Sequence, residues 1–350
     1  MLNASWIPYQ LVFRQPAGTS RGLLHTKPSW FLRIVDTDEP QHVGIGEVSV
    51  IPGLSRDAIS EIEKTLDEVC VHINQTAVLY QKLEKDFPSI VFALETALLD
   101  LKTGGKRVLY KNSFTEGKSG IPINGLVWMG NFEEMKARMT QKIDEGFRVI
   151  KMKVGAIDFK QELALLAYIR RHFSSDLLTL RLDANGAFRP EQAFDRLQQL
   201  SEFDIHSIEQ PIAADQAEVM AELCQKSPIP IALDEELIGD FNLSEKNQLL
   251  ERIQPQYIIL KPSLIGGFNA ADAWINVAEK LKIGWWATSA LESNIGLNAI
   301  AQWTVQKQVS LPQGLGTGLL YANNLPSPLE IRDAQLFYNP NKTWMLNPVL

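Results

Sequence analysis

Two spacings of apolar residues divide the chain. Over residues 10–13 and 29–35 apolar, β-prone positions run together, with 16–20 as a mobile turn between them and 43–50 as a third, weaker strand. From residue 55 the spacing turns helical. Residues 89–101 (SIVFALETALLDL) predict an apolar helix stopped by Gly104 and Gly105. Together these elements make an α+β unit, residues 1–118.

From residue 121 the rhythm changes. Strand-like runs at 121–127, 149–154, 178–183, 205–209, 230–234, 257–261 and 283–289 alternate with helical stretches, and 313–317 is a short eighth candidate. The helices at 132–145 and 159–173 are the clearest. In the latter, Phe159, Leu163, Leu166, Ile169 and Phe173 follow at steps of 4, 3, 3 and 4 and make one face. Such alternation implies parallel strands, and seven or eight repeats imply a closed (β/α) barrel over residues 119–330. The rival, a doubly wound open sheet, lacks a G-x-G-x-x-G after its first strand.

The residue that closes each strand carries the chemistry. Lys153, Asp183, Glu209, Asp234 and Lys261 end the second to sixth strands, at intervals of 30, 26, 25 and 27 residues. In 178–183 leucines alternate with polar residues, so the leucines face the helices and Asp183 faces the barrel axis. The same parity turns Glu209 and Asp234 inward and sets Lys151 and Arg181 one layer deeper. Five ionisable groups then converge on the C-terminal mouth, where barrel active sites sit. A single strand-end acid is ordinarily the N-cap of the next helix. Three on successive strands repel one another, and none has an ion partner evident in the sequence. A divalent cation resolves that repulsion. All-oxygen ligands with no histidine pair or suitable thiol favour Mg²⁺, with Mn²⁺ as the alternative. Lys153 and Lys261 lie nearly opposite each other around an eight-stranded ring, so a substrate can rest between two ammonium groups. Cations clustered around Lys153 favour its neutral, basic form. A metal that holds a substrate carboxylate acidifies the proton on the adjacent carbon. The residues alone point to proton abstraction beside a carboxylate.

Composition removes several other classes. The chain has 350 residues, is 45% hydrophobic and 21% charged, and so is neither disordered nor fibrous. Its net charge of −7 argues against a nucleic-acid binder. Two cysteines, Cys70 and Cys224, cannot build a disulfide framework or a four-thiolate metal site. The uncharged stretch 308–329 holds three prolines and three glycines and is no membrane span. With no secretory signal pattern at residues 1–15, a cytoplasmic protein acting on a small molecule is expected.

K-M-K at 151–153, R-L-D-A-N at 181–185, I-E-Q-P at 208–211, L-D-E at 233–235 and L-K-P at 260–262 resemble the enolase superfamily, muconate-lactonising subgroup. A lysine base with Mg²⁺ is that superfamily's known pattern. The resemblance implies a (β/α) barrel of the modified TIM type with an N-terminal α+β capping domain, rejoined by the C-terminal residues 331–350. Within the superfamily, A-T-S-A-L-E-S-N-I-G at 287–296 and Q-G-L-G-T-G at 313–318 resemble the o-succinylbenzoate synthase family, whose members dehydrate a succinylated cyclohexadiene carboxylate on the way to menaquinone. Dipeptide epimerases carry Asp-x-Asp where this chain has Thr288-Ser289-Ala290, and mandelate-racemase-like members use a histidine base where Lys261 stands.

Carried over, the resemblance makes Lys153 the base and Lys261 the cation that stabilises the enediolate. It makes Asp183, Glu209 and Asp234 the Mg²⁺ ligands, with Asn185 and Glu235 orienting them. Ser289, Ser293 and the backbone at Asn294 and Ile295 would receive a succinyl carboxylate, Gly314, Gly316 and Gly318 would form a close-approach loop or merely a turn, and Thr317 would join Gly314 and Gly316 in contacting substrate. Residues 13–24, with Arg14 and Arg21, resemble a mobile loop that closes over substrate. N-succinylamino-acid racemisation or muconate cycloisomerisation is the alternative on the same site. A non-catalytic barrel is the alternative of another class.

Overall fold

The computed structural model describes residues 1–19, 22–128, 130–155, 157–308 and 310–347. β1 (Leu2–Thr19) and β2 (Gly22–Asp36) form a long antiparallel hairpin, and β3 (Val43–Ser49) pairs with the far edge of β2. Strand parity gives this sheet two buried faces. Leu32, Ile34 and Val48 pack on helices α1 (Ile62–Val71), α2 (Thr76–Leu83) and α3 (Pro88–Lys102). Phe31 and Ile45 face the other way, toward Ile295, Leu325 and Leu346. Gly44 and Gly46 are what let α3 lie so close: a Cβ there would meet the carbonyl oxygens of Ala97 and Ala93 at 2.1 and 1.9 Å.

The expected mobile loop over 13–24 takes another form. The hairpin stays paired as far as Thr19 and Gly22, and its ladder breaks only between Val12 and Ala17. Pro16 has no amide hydrogen to offer there. The freed backbone pairs instead with the barrel side: Arg14 N–H donates to the Leu320 carbonyl and Ala322 N–H to that of Val12, both at 2.8 Å. Arg21 lies outside the described residues.

The expected strand at 121–127 is split. β4 (Ile121–Pro122) is followed by β5 (Gly125–Val127), and only the latter joins the main sheet. Then come α4 (Phe132–Asp144), β6 (Val149–Lys153), α5 (Phe159–His172), β7 (Thr179–Asp183), α6 (Pro190–Ser201), β8 (Ile205–Glu209), α7 (Ala217–Lys226), β9 (Ile231–Leu233), α8 (Leu243–Ile253), β10 (Tyr257–Leu260), α9 (Pro262–Ile265), α10 (Gly267–Lys280), β11 (Gly284–Ala287) and α11 (Asn294–Gln306). Strands β5 to β11 are hydrogen-bonded in sequence order and all parallel. Capping boxes start α4 and α8: Asn131 with Glu134, and Asn242 with Glu245.

The eighth strand is reduced to two residues that close the ring. Gln313 bridges Ile123 and Gly314 bridges Thr288, both in parallel, with Gly314 N–H donating to the Ala287 carbonyl at 2.8 Å and Asn124 N–H to that of Gln313 at 3.0 Å. After it, β12 (Leu329–Arg332) and β13 (Gln335–Tyr338) form a small sheet with β4. Trp344 and Leu346 then pack against the Phe31–Ile45 face of the N-terminal sheet. No helix among the described residues is long and apolar enough to cross a membrane.

Candidate active site

Lys153, Asp183 and Glu209 are the last residues of β6, β7 and β8, while Asp234 and Lys261 directly follow β9 and β10. The register pairs Lys153 with Asp183 and Asp183 with Glu209, which puts these side chains at one level. The expected parity holds: Leu180, Leu182, Ile208 and Leu233 are buried in the core shared with the helices. Arg181 lies deeper in the ring, its guanidinium 4.1 Å from the Trp286 ring centroid and donating to the Pro312 carbonyl at 2.8 Å. Burial lowers it to about 10.

Each acid has a lysine partner, contrary to the expectation of unpaired carboxylates. Lys151 Nζ stands 2.7 Å from Glu209 Oε2 and 3.0 Å from Asp183 Oδ2. Lys153 Nζ lies 2.9 Å from the same Asp183 oxygen and 2.6 Å from Asn185 Oδ1, so two ammonium groups share one oxygen. Lys261 pairs with Asp234. The partners went unseen because they come from other strands, 27 to 58 residues away in the chain. Burial would raise Asp183, but Lys151, Lys153 and Lys261 outweigh it and hold the carboxyl well below its usual range. Burial pushes Glu209 up to about 7, and the neighbouring Asp183 and Asp234 add to the effect while Lys151 opposes it. Burial also works against Lys151 and Lys261, yet the carboxylates around them raise both.

Asn185 links the two sides of the site. It takes the left-handed backbone conformation, φ 44°, which asparagine tolerates better than most residues. Its amide accepts from Lys153 and donates to Glu235 Oε1 at 3.0 Å. As the side chains stand, no three acidic, histidine or cysteine groups among the described residues form a ready metal-holding set. Lys151 bridges two of the acids instead.

A cavity of about 610 Å³ opens above these groups. Lys153, Lys261, Asp183 and Asn185 line its floor, and Trp128 stands over Lys153 with Nζ 5.9 Å from the ring centroid. Phe13, Pro16 and Leu54 of the N-terminal unit complete the wall. Glu209 and Asp234 are sealed below, 0% and 1% exposed.

The proposed carboxylate-binding residues divide. Ser289, Gly314, Gly316 and Thr317 line the cavity; Ser293, Asn294 and Ile295 do not. The start of α11 is already occupied by a carboxylate of the protein itself. Glu47, from the barrel-facing side of β3, accepts from the backbone of Ser293 at 2.9 Å, its hydroxyl at 2.5 Å and the backbone of Gly296 at 3.0 Å. Asn294 N–H is taken by Asn324 Oδ1 at 2.9 Å. Gly314 packs tightly against the neighbouring strand end: a Cβ on it would lie 2.4 Å from Thr288 Oγ1.

Sequence reasoning missed Glu47, Glu292 and Trp128. A lone acid at the inward parity of the apolar run V-G-I-G-E-V was a signal for Glu47. Nothing local marks Glu292 as buried.

Fold and site together define a barrel enzyme of the enolase class, with acids and lysines at successive strand ends beneath a capping sheet. A family model described as enolase C-terminal domain-like matches residues 134–338. The o-succinylbenzoate synthase of Desulfotalea psychrophila (strain LSv54) is 48% identical over 94% of this chain and 97% of its own length. The chain belongs to the o-succinylbenzoate synthase family of the enolase superfamily. The crystal structure of MenC from Desulfotalea psychrophila LSv54 superposes with a TM-score of 0.85 at 44% identity, covering 96% of this chain and 99% of that one. The L-Ala-D/L-Glu epimerase of Bacillus subtilis matches as well in fold, TM-score 0.84 over 98% of each chain, but at 20% identity. Members of the superfamily use a divalent metal, typically Mg²⁺.

Proposed function

We propose that this protein dehydrates 2-succinyl-6-hydroxy-2,4-cyclohexadiene-1-carboxylate to 2-succinylbenzoate, a step toward menaquinone, as a cytoplasmic enzyme. The observation that carries the reading is the pair of lysines, Lys153 and Lys261, on the floor of one cavity above three strand-end acids. Residues 1–118 with 331–350 act as the capping unit and 119–330 as the catalytic barrel.

Asp183, Glu209 and Asp234 fit a hard divalent cation, Mg²⁺ or Mn²⁺. Glu209 Oε1 is buried without a hydrogen-bond partner, and the three carboxylates come from adjacent strands with no soft ligand among them. Bound there, the ion supplies Lewis-acid polarisation of the substrate carboxylate. Lys153, in its neutral form, takes the proton from the carbon beside that carboxylate. The electron pair of the broken C–H bond moves toward the carboxylate, whose growing negative charge Lys261 faces as a fixed cation. Lys153, now an ammonium, returns the proton to the departing hydroxide, which leaves as water while the ring becomes aromatic. Asn185 holds Lys153 in place through the 2.6 Å contact. Trp128 and the Phe13–Pro16 edge keep bulk water from the cavity.

The test is formation of the aromatic product by purified protein with Mg²⁺, compared with Lys153→Ala. Loss of about a hundredfold to ten-thousandfold in the variant is expected for removal of a general base. A Lys153→Ala protein turning over at the wild-type rate would overturn the assignment.

A further inference from the structure

A chain of hydrogen bonds runs from a buried carboxyl to the cavity wall. Glu292 is 0% exposed and touches no part of the cavity. Its Oε1 accepts from the hydroxyl of Ser263, two residues after Lys261, and its Oε2 accepts from Ser289 Oγ at 2.5 Å. Ser289 Oγ in turn accepts from Leu291 N–H at 3.0 Å and from Thr317 Oγ1 at 2.8 Å. Every hydrogen-bonding position on Ser289 is thereby used: one proton given, two lone pairs filled. Thr317, which lines the cavity, has spent its only proton on Ser289. In this arrangement the wall at Thr317 shows the substrate lone pairs and no donor. That is the wrong polarity for a carboxylate.

One proton reverses the chain. With Glu292 protonated on Oε2, its O–H donates to Ser289, Ser289 donates to Thr317, and the Thr317 hydroxyl is released to donate into the cavity. Leu291 N–H and Ser263 keep their bonds in both states. We infer that Glu292 is a positioning residue that sets the hydrogen-bond polarity of the cavity wall, and that an anionic substrate carboxylate at Thr317 is bound together with a proton taken up by Glu292. The charged groups around Glu292 are Lys27 of β2 and Glu47 of β3, with Tyr321 as a further titratable neighbour. Burial pushes Glu292 upward and Glu47 adds to this, while the hydrogen bonds from Ser263 and Ser289 and the charge of Lys27 oppose it. The choice of ligand rests on the proposed function; the hydrogen-bond count does not.

The experiment measures the affinity of the Mg²⁺-loaded protein for 2-succinylbenzoate by calorimetry, across mildly acidic to mildly alkaline pH and in buffers of differing ionisation enthalpy. Wild type should hold constant affinity until free Glu292 ionises, then weaken roughly tenfold per pH unit while taking up close to one proton per ligand. Glu292→Gln, whose amide N–H can only donate to Ser289, should bind with the wild-type low-pH affinity, no such slope and no uptake. Thr317→Val should weaken binding about tenfold and also lose the slope, as expected for one hydrogen bond to a charged group. A wild type that binds without uptake at any pH, or a Glu292→Gln protein with the wild-type slope, would overturn the inference. Turnover of the cyclohexadiene substrate on the same preparation reads the proposed function separately.

Discussion

Replacing Glu47 by alanine should cost far more than an ordinary strand substitution. Its carboxylate accepts from Ser29 Oγ at 3.1 Å as well as from three donors at the start of α11, at 2.9, 2.5 and 3.0 Å. Alanine leaves two buried helix N–H groups without acceptors, each worth about 1–3 kcal/mol. It also removes one of the two carboxylates that hold Lys27 up against a burial that otherwise lowers it. Stripping one charge from such a buried set costs about 3–5 kcal/mol, and the terms overlap, so we expect a loss of about 4 kcal/mol in total. Urea unfolding followed by far-ultraviolet circular dichroism reads this directly as a lower midpoint at unchanged slope. Glu47→Gln, which keeps an acceptor for one helix amide, should recover about half. A loss under about 1 kcal/mol for Glu47→Ala would mean that the sheet and α11 do not depend on this joint.

Glu95 of α3 accepts from the backbone of Phe268 and, at 3.1 Å, of Asn269 at the start of α10, and burial pushes its carboxyl up to about 7. The folded state therefore keeps a proton that the unfolded chain releases near 4.5, so stability should fall as pH rises through that window, by on the order of 3 kcal/mol, and Glu95→Gln should remove this fall; equal slopes in denaturation at a series of pH values would refute it. Mg²⁺ should raise the thermal midpoint of wild type and leave that of Asp183→Asn unmoved, a calorimetric comparison that needs no substrate. Lys261→Arg keeps the cation and removes a usable base, so it should retain residual dehydration while any N-succinylamino-acid racemisation disappears, both followed on the same preparation.

The barrel was legible because strand-like and helical runs alternate and five successive strands, β6 to β10, end in or just before a charged residue, with the alternating leucines of β7 giving the parity. Asp183, Glu209 and Lys153 could be placed at one level from parity alone, and the register confirms the level. What parity cannot carry is distance across the ring. Lys151 on Glu209 and Lys261 on Asp234 are contacts between strands, and no local pattern distinguishes a free lysine from a paired one. The helix start at 293–296 shows the same limit more sharply. As a sequence it is an anion site; in three dimensions Glu47 arrives from 246 residues away and fills it. The pairing within the hairpin at 13–24 was not legible for a related reason. Its glycine and proline are turn residues by propensity, but partners at 320–322 give the backbone somewhere to pair.

The two-faced N-terminal sheet has a consequence for how this chain is made. Its helix-side face is covered by α1, α2 and α3, all of which leave the ribosome soon after the strands do. Its other face waits. Phe31 and Ile45 pack against Ile295, Leu325, Trp344 and Leu346, and Tyr9 donates to the carbonyl of Asn323, 314 residues later. Contacts so distant along the chain close late, after most of the loop entropy between them has been overcome. Until residues 295–346 are made, then, the first strands carry an apolar and partly charged surface with nothing against it, the kind of surface on which nascent chains misassemble. Residues 295–346 finish the first fifty, and translation order leaves the N-terminal unit half a domain until they have emerged.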